Sequence, residues 1–398
     1  MTKPIGSLCN MDCSYCFYLE KEKLYPNTNH WVMNEKVLES YIRQYIRSQK
    51  VNEITFAWQG GEPTLLGVGY FKKVVQLQKT YADGKTINNT FQTNAVLIDI
   101  EWAEFFALNK FLVGVSIDGP SEIHDKYRVL KGGQPTFNKV LRGIKILKKH
   151  GVDFNTLTCV SKANEDEPLK VYHFLKEIGS GFIQFIPIVE RLAREVGEND
   201  LKLVSPNYHK EAVVTEWSVD SLKYGKFLSA VFDEWVRKDV GKYYVQIFDI
   251  ALEAWVGQRP SLCVFSDVCG NAMAMEHNGD LYSCDHYVYP ENKLGSILTD
   301  LLQTMVNSGK QIRFGIDKKI MLPQYCRNCK YLFACNGECP KHRFTKTPDG
   351  EEELNYLCQG YKYFFNHIDA ATTFMANELK NQRPPANVMK WMNIRSKN

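Results

Sequence analysis

The spacing of the cysteines constrains this chain more than any other feature of its sequence. Eleven of the twelve cysteines fall into two patterns, and the first is Cys9-x3-Cys13-x2-Cys16 near the N-terminus. Three thiolates at this spacing can bind three irons of a 4Fe–4S cube, which is normally held by four cysteines. The remaining iron then keeps an open position, through which a metal site can bind a substrate. A zinc knuckle or a few buried structural cysteines are the alternatives.

The second pattern occupies the C-terminal third of the chain and contains eight cysteines. They are Cys263, Cys269, Cys284, Cys326, Cys329, Cys335, Cys339 and Cys358. Eight thiols suffice for two fully ligated 4Fe–4S clusters, although CxxC pairs also occur in zinc sites. The N-terminal triad favours iron–sulfur clusters here as well. The remaining cysteine, Cys159, lies in the apolar run Val152–Val160 and is expected to be a small buried hydrophobic residue.

Composition indicates a globular enzyme with more than one domain. The 398 residues exceed a typical single core. The 49 basic and 45 acidic residues leave a net charge of +4, so we expect neither a nucleic-acid partner nor a membrane partner. There is no apolar signal region at the N-terminus, and no apolar run approaches the roughly 20 residues that span a bilayer. Cysteines too sparse for a disulfide scaffold, which must stay reduced, predict a cytoplasmic protein.

The first half of the chain alternates short β-rich runs with helical patterns. This alternation predicts a parallel sheet with right-handed crossovers, and six such units would form a partial barrel with its chemistry at the carboxyl ends of the strands. A short stretch before Cys9 is the predicted first strand, and the others are Ile54–Trp58, Thr90–Thr93, Leu112–Ile117, Val152–Val160 and Phe182–Ile188. The predicted helices are Glu35–Ser48, Tyr70–Tyr81, Ile100–Leu108, Phe137–His150 and Pro168–Ile178.

The second half has a different organisation. Residues 190–221 are polar and irregular, which indicates a lid or linker, and helices are predicted near Tyr224–Lys238 and over Tyr361–Leu379. The closing residues 381–398 are expected to be partly disordered. We predict a barrel domain over residues 1–225, a linker helix over 226–262, a cysteine-rich domain over 263–365, and a C-terminal helix and tail over 366–398.

Candidate ligand contacts follow the predicted strands. Gly60-Gly61-Glu62-Pro63 comes directly after the second strand, where glycine would let a ligand approach the backbone closely. A plain turn would have the same sequence. Ser116 ends the fourth strand and Arg128 lies beyond it, and their simpler interpretations are a strand-end cap and a solvated arginine.

Taken together, the motifs resemble one known family from Cys9 to about Phe365. They are CNMDCSYCFY at 9–18, WQGGEPT at 58–64, QTN at 92–94, VSIDGP at 115–120, GDLYSCDHY at 279–287, CNGECP at 335–340 and LNYLC at 354–358. The chain is similar to anaerobic sulfatase-maturating enzymes, which are radical S-adenosylmethionine (SAM) enzymes. They oxidise one cysteine or serine of a sulfatase polypeptide to Cα-formylglycine.

The resemblance implies an α/β fold with a partial (β/α)6 radical SAM barrel, followed by a small cysteine-rich α+β SPASM domain with two auxiliary clusters. Two features of the sequence depart from the family pattern. Ala95 stands where a glycine is common in the family, and only eight residues precede Cys9, so the first strand is expected to be short.

The resemblance also assigns roles to individual residues. It implies a SAM-binding cluster on Cys9, Cys13 and Cys16, an inner auxiliary cluster on Cys263, Cys269, Cys284 and Cys339, and an outer one on Cys326, Cys329, Cys335 and Cys358. The implied SAM contacts are Tyr15, Gly61, Ser116, Arg128 and Val189. Tyr18 and Gln59 would lie near the substrate residue. Asp285 matches the proposed general base, and a carboxylate that only hydrogen-bonds around its cluster is the alternative.

The implied reaction is radical chemistry on a protein. A 5′-deoxyadenosyl radical from SAM takes a hydrogen from Cβ, Asp285 takes the side-chain proton, and an auxiliary cluster accepts the second electron. The implied partners are an unfolded or nascent sulfatase polypeptide and a low-potential electron donor, a flavodoxin or ferredoxin. The alternatives are a SPASM enzyme that forms a crosslink or thioether in a ribosomal peptide, and a non-catalytic electron carrier. The sequence does not separate cysteine from serine targets.

Overall fold

The structure is a computed structural model that describes residues 1–26, 28, 30–194, 201–208 and 210–395. Twelve strands lie within these described residues. They are β1 (Thr2–Lys3), β2 (Glu53–Trp58), β3 (Thr86–Thr93), β4 (Leu112–Ser116), β5 (Phe154–Val160), β6 (Phe182–Pro187), β7 (Arg191–Ala193), β8 (Ala212–Val214), β9 (Tyr244–Val245), β10 (Ala274–Glu276), β11 (Asp280–Tyr282) and β12 (Lys293–Ser296).

The helices of the same residues vary widely in length. They are α1 (Glu35–Ser48), α2 (Gly67–Tyr81), α3 (Ile100–Leu108), α4 (Ser121–Tyr127), α5 (Phe137–Lys149), α6 (Pro168–Glu177), α7 (Ser221–Lys238), α8 (Gln246–Trp255), α9 (Leu302–Val306), α10 (Gly309–Ile320), α11 (Gln324–Arg327), α12 (Leu332–Cys335), α13 (Cys358–Lys380) and α14 (Val388–Arg395). Across the described part of the chain, no helix combines the length and the apolar character that crossing a membrane requires.

Strands β1 to β6 pair in chain order and run parallel, with helices crossing over between them. This confirms the predicted partial barrel of six units. Short β9 adds to the far edge beside β6, also in parallel. The carboxyl ends of the strands therefore meet at one rim, where the chemistry of such barrels is located.

The sheet continues beyond the barrel into the cysteine-rich region. Strand β1 pairs with β2 on one side and, in parallel, with β10 on the other, where Lys3 lies opposite Glu276. Strands β10, β11 and β12 then form an antiparallel meander, which completes a sheet of ten strands. The two regions are therefore joined by backbone hydrogen bonds as well as by the chain between them.

Helices α7 and α13 pack directly against each other and join the barrel to the end of the chain. A Cβ on Gly225 would lie 2.2 Å from the carbonyl oxygen of Gly360, and a Cβ on Gly360 would lie 2.0 Å from the carbonyl oxygen of Ser221. Only glycine permits this approach of the two backbones. The domain boundary predicted at residue 225 falls inside α7, which runs unbroken from Ser221 to Lys238.

Two segments predicted to be irregular contain regular structure. Residues 190–221 include the antiparallel pair β7–β8, while residues 195–200 and 209 of that prediction lie outside the described residues. The prediction of a partly disordered tail is wrong for residues 385–395, where α14 forms and the ring of Trp391 stacks on Phe374 at a centroid distance of 4.9 Å. Packing of Trp391 against Phe374 stabilises this helix, and the polar composition of the segment does not reveal that contact. Residues 396–398 lie outside the described part.

Candidate active site

The loop with the cysteine triad is fastened to the turn after β2. The amide of Gly61 donates to the Gly6 carbonyl at 2.7 Å, and the amide of Glu62 donates to the Leu8 carbonyl at 2.8 Å. A Cβ on Gly61 would lie only 1.8 Å from the Leu8 carbonyl oxygen. Glycine at 61 is therefore required by the cysteine loop itself, whatever ligand the turn also contacts.

Glu62 connects the ends of two neighbouring strands. Its carboxylate is 1% exposed and accepts hydrogen bonds from the Thr64 amide at 3.0 Å, the Thr64 hydroxyl at 2.6 Å, the Thr93 hydroxyl at 2.8 Å and the Asn94 amide at 2.7 Å. Burial raises the pKa of Glu62, and these donors oppose that rise. Glu62 thus holds the ends of β2 and β3 together at the rim of the barrel.

The turn after β3 also contacts the triad loop. The side-chain amide of Asn94 donates to the Asn10 side chain at 2.8 Å and lies 3.7 Å from the Cys9 sulfur. The next residue, Ala95, is fully buried and has a φ of +59°. This left-handed conformation strains an alanine and suits a glycine. The departure at Ala95 therefore lies at a position where backbone geometry favours the family's residue.

The three cysteines of the triad are partly buried, and burial raises the pKa of Cys9 to about 12, of Cys13 to about 12 and of Cys16 to about 11. Iron binding would therefore displace protons from all three. Among the described residues no three Cys, His, Asp or Glu side chains converge on one point as a single metal ion requires. The donor set, three thiols at cluster spacing, fits a 4Fe–4S cube with one open iron better than a single zinc ion.

A buried polar network lies beside the triad. The Tyr15 hydroxyl donates to the Asp118 carboxylate at 2.6 Å, and the Arg128 guanidinium donates to the Tyr15 hydroxyl oxygen at 2.8 Å. Burial raises the pKa of Asp118, and the charge of Arg128 opposes this. Arg128 is 6% exposed, and its Nε has no hydrogen-bond partner within the described chain. An unpaired buried donor beside the triad fits the carboxylate of SAM.

The remaining predicted SAM contacts lie at the same rim. Ser116 ends β4, and its hydroxyl accepts a hydrogen bond from the Gln92 side chain at 2.9 Å. Val189 follows β6 and is 2% exposed. Cys159 differs from the expectation of an apolar environment, because its amide donates to Asp118 at 3.0 Å and its thiol lies beside Tyr15. The barrel thus brings all five predicted contacts to one end of its sheet.

Asp285 lies where the cysteine-rich region meets β1. It begins a three-residue 3-10 turn directly after Cys284. One oxygen of its carboxylate lies 2.6 Å from the ammonium nitrogen of Lys3, whose side chain is 1% exposed. Burial by itself would raise the pKa of Asp285, but the charge of Lys3 lowers it below its ordinary value. Asp285 is therefore a carboxylate that remains ionised near neutral pH.

The two residues predicted to lie near the substrate are close to this ion pair. Tyr18 donates its hydroxyl to the Glu276 carboxylate, and the Lys3 ammonium lies 3.8 Å from the centre of the Tyr18 ring. Gln59 is placed by its amide, which donates to the Thr2 carbonyl at 2.9 Å. Both residues therefore flank β1, on the same side of the molecule as Asp285.

The eight C-terminal cysteines form two groups. Cys326, Cys329, Cys335 and Cys358 all line one small cavity, which is otherwise walled by residues such as Tyr331, Tyr361 and Phe365. Burial raises the pKa of Cys335 to about 12, and the nearby Cys358 thiol adds to that rise. The structure thus brings together the four cysteines predicted for the outer cluster, and their role as ligands stays a prediction.

The other four cysteines lie near enough for their thiols to affect one another's pKa. Burial raises the pKa of Cys284, and the neighbouring thiols of Cys339 and Cys263 raise it further. The pKa of Cys269 is likewise raised by burial and then by Cys263. The same four residues were predicted to hold the inner cluster. Asp285 directly follows one of them.

Sequence reasoning missed Lys3 and Glu276 as site residues. It noted Asp118 at the end of the fourth predicted strand, inside a motif, but gave this residue no role. Lys3 and Glu276 belong to no motif, and only the pairing of β1 with β10 brings them together.

Comparisons with known proteins agree with this geometry. Residues 4–175 match the radical SAM superfamily, and residues 263–330 match the SPASM iron–sulfur cluster-binding domain. The chain is 49% identical to a serine-type anaerobic sulfatase-maturating enzyme of Bacteroides thetaiotaomicron over 98% of this chain and 94% of that one. It is 35% identical to a cysteine-type enzyme of Clostridium perfringens over 96% of this chain and 98% of that one.

A solved structure agrees at the level of the fold. Native anSMEcpe with bound AdoMet and Kp18Cys peptide superposes with a TM-score of 0.82 at 33% identity, covering 95% of this chain and 98% of that one. Near-complete coverage in both directions means that the barrel and the cysteine-rich region are shared together. The chain therefore belongs to the anaerobic sulfatase-maturating enzymes, radical SAM enzymes with a SPASM domain that binds auxiliary iron–sulfur clusters.

Proposed function

We propose that this chain oxidises one serine or cysteine of a sulfatase polypeptide to Cα-formylglycine, with Asp285 as the base. Family membership supports the reaction, and one observation supports the base. Asp285 follows Cys284 on the auxiliary side, and the ring of the next residue, His286, lies 5.0 Å from the ring of Phe17, which follows Cys16 of the triad. The carboxylate is thus close to both predicted cluster sites.

Oxidation of the target removes one hydrogen atom from Cβ, one proton from the side-chain oxygen or sulfur, and one electron. When bound, SAM supplies the 5′-deoxyadenosyl radical that takes the hydrogen atom, and an auxiliary cluster accepts the electron. The chain itself must remove the proton. Asp285 can take this role because Lys3 offsets the effect of burial and keeps the carboxylate ionised, and the same lowering of its pKa makes it a weaker base.

A serine target depends on this base more than a cysteine target does. The thiol of cysteine has a pKa of about 8.5 and loses its proton far more readily than an alcohol. The relative with 49% identity is named a serine-type enzyme, and this supports serine as a target of the present chain. For cysteine, the thioaldehyde that forms would exchange its sulfur for oxygen by hydrolysis.

The buried groups support the ligand sites that we propose. The unpaired Nε of Arg128 and the nearby Tyr15 support binding of the SAM carboxylate, with Gly61, Ser116 and Val189 as further contacts. Two auxiliary clusters would be held by the inner and outer groups of four cysteines. We also propose four parts of the chain, a barrel, a linker, a cysteine-rich region and a C-terminal helix, with the first and last boundaries at the ends of α7 and α13 rather than inside these helices. Metal-bound thiolates and radical chemistry favour a reducing compartment, the cytoplasm, with a flavodoxin or ferredoxin as electron donor.

The test is direct oxidation of a peptide. Reconstituted enzyme is incubated without oxygen with SAM, a low-potential reductant and peptides that carry the sulfatase target segment with serine, cysteine or alanine at the target position. Mass spectrometry should find loss of two hydrogens from the serine peptide, formylglycine from the cysteine peptide, and no change in the alanine control. Release of 5′-deoxyadenosine with no formylglycine from either peptide would contradict the proposed function.

A further inference from the structure

We propose that Lys3 is a positioning residue for the oxidation, acting by holding the Asp285 carboxylate at a fixed place beside the Tyr18 ring. This inference rests on the proposed role of Asp285 as the base. Lys3 belongs to the barrel, so the base in the SPASM domain would be held in place by a residue of the other domain. Four residues carry it, Lys3, Tyr18, Glu276 and Asp285, which we call the Lys3 cluster.

Lys3 is buried deeply for a lysine. Its side chain is 1% exposed, its ammonium nitrogen lies 2.6 Å from Oδ1 of Asp285, and the same nitrogen lies 3.8 Å from the centre of the Tyr18 ring. A buried ammonium requires an opposite charge and gains further from an aromatic face. Apart from this ammonium, no donor among the described residues reaches Oδ1 of Asp285. The ion pair is therefore what orients the carboxylate.

The backbone of Lys3 is fixed on both sides. It lies in β1, opposite Glu276 of β10, while the preceding residue, Thr2, pairs with Trp58 of β2. A Cβ on Gly60 would lie 3.4 Å from the Lys3 Cα, so the turn after β2 also presses close. Asp285, by contrast, lies in a three-residue turn whose N-cap makes no side-chain hydrogen bond. The backbone of Lys3 is thus held rigidly, and the Asp285 carboxylate depends on Lys3 for its position.

Tyr18 is fixed by the same cluster. Its hydroxyl donates to the carboxylate of Glu276, which is fully buried in β10 next to β1. The ring therefore cannot rotate away from the Lys3 ammonium without breaking a buried hydrogen bond. The position of Tyr18, predicted to lie near the substrate, and the position of Asp285 are both set relative to one nitrogen atom. Loss of that nitrogen should misplace the base relative to the target side chain.

The test uses reconstituted enzyme, SAM, reductant and the serine peptide, and measures formylglycine formed per 5′-deoxyadenosine released. Lys3→Met keeps the length of the side chain and removes its charge, and we expect this ratio to fall at least tenfold while 5′-deoxyadenosine is still released. Lys3→Arg keeps the charge and should recover part of the ratio. A residue that only fills space would not distinguish methionine from arginine in this way.

The chain offers a matched control in Lys176. Its ammonium lies 2.8 Å from the Asp239 carboxylate and 4.7 Å from the centre of the Tyr172 ring, the same combination of contacts away from the site. Lys176→Met should leave the ratio unchanged. An equal fall for both variants, or a loss of 5′-deoxyadenosine and iron along with formylglycine in Lys3→Met, would show a general structural role and overturn the proposal.

Lys3→Met leaves the Asp285 carboxylate buried without its partner, which can prevent folding. The double variant Lys3→Met/Asp285→Asn removes both charges and avoids this. If Lys3 acts through Asp285, the double variant should have the same ratio as Asp285→Asn alone, and a further fall would overturn the proposal. Normal conversion by Asp285→Asn would overturn the base assignment and this inference with it. Normal conversion by Lys3→Met, with Asp285→Asn defective, would overturn this inference alone.

Discussion

The loop that carries the cysteine triad is tied by backbone hydrogen bonds to the ends of long parallel strands, through Gly61 and Glu62. Three of the four outer auxiliary cysteines lie on or beside α11 and α12, which have four residues each, whereas Cys358 begins the long helix α13. One region has a regular sheet behind its cysteines, and the other does not. We therefore expect the two sets of cysteines to depend on metal to different degrees.

This contrast has an energetic basis. Strands β2 to β5 and their helices bury a continuous core that includes Trp58, Phe71 and Phe91, and the triad loop rests on it. Helices of four residues are too short to be stable alone, and the four outer cysteines line a small cavity at the edge of the core, beside Tyr361 and Phe365. Metal binding there contributes directly to folding. We therefore expect loss of metal to affect the fold on the auxiliary side and mainly the chemistry on the barrel side.

The largest effect is expected from removal of the triad. With Cys9→Ala, Cys13→Ala and Cys16→Ala combined, SAM cleavage should disappear, and iron should fall by a third from about twelve atoms per chain. The protein should stay soluble because the loop keeps its backbone hydrogen bonds. Iron analysis measures the iron content, and release of 5′-deoxyadenosine measures SAM cleavage. Aggregation of this variant, or iron near four atoms in the parent protein, would break the comparison.

Removal of one outer cysteine should act on the fold as well as on the activity. We expect Cys358→Ala to lower iron by about a third and to lower the soluble yield, because the outer cavity loses its metal. Cys159→Ala is the control and should keep all its iron, since Cys159 lies in neither auxiliary group. A well-folded Cys358→Ala protein with its full iron content would contradict the pairing.

A smaller effect is expected within the barrel from Tyr15→Phe. The hydroxyl bridges Asp118 and Arg128, and hydrogen bonds to charged groups contribute about 1.5 to 3 kcal/mol. Its loss should raise the KM for SAM about tenfold or more and leave the iron content unchanged. Tyr70→Phe, which loses only a bond to the Met33 carbonyl, is the control. A change in iron with an unchanged KM would place Tyr15 with the cluster rather than with SAM.

The smallest prediction concerns the strained alanine. Ala95→Gly should raise the free energy of unfolding by up to about 1 kcal/mol, because Ala95 has a positive φ. Urea unfolding followed by tryptophan fluorescence measures it. Ala103→Gly, at a buried position inside α3, should instead destabilise by about 1 kcal/mol. If Ala95→Gly and Ala103→Gly both lowered the free energy of unfolding, the backbone at Ala95 would not be strained.

The barrel could be predicted in detail because its patterns are local. Helices α1 and α3 begin and end at the predicted residues, and the strands differ by only a few positions. Apolar periodicity within one element suffices for that. The pairing of β1 with β10 could not be predicted, since β1 has two residues and its partner lies at the other end of the chain. Lys3 was missed for the same reason, because its role depends on a contact that no local pattern encodes.

The cysteine spacing predicted the clusters and the family resemblance predicted their grouping, but the close contact of α7 with α13 was missed. Gly225 and Gly360 make that contact. In the sequence, each glycine indicates only a lower helical propensity of its own segment. The α14 helix was missed because its stability depends on packing of Trp391 against Phe374. In both cases the determining interaction joins distant segments.

The central claim is that the barrel side generates the radical, whereas Asp285 on the auxiliary side removes the proton. Asp285→Asn tests it most directly, because it keeps the shape of the side chain and removes the base. Formylglycine and 5′-deoxyadenosine are measured with the serine and the cysteine peptide. We predict a fall of about 10²–10⁴-fold in formylglycine from serine, a smaller fall from cysteine, and nearly unchanged cleavage of SAM without peptide. Conversion of the serine peptide at the wild-type rate would contradict the account and leave Asp285 as a structural carboxylate.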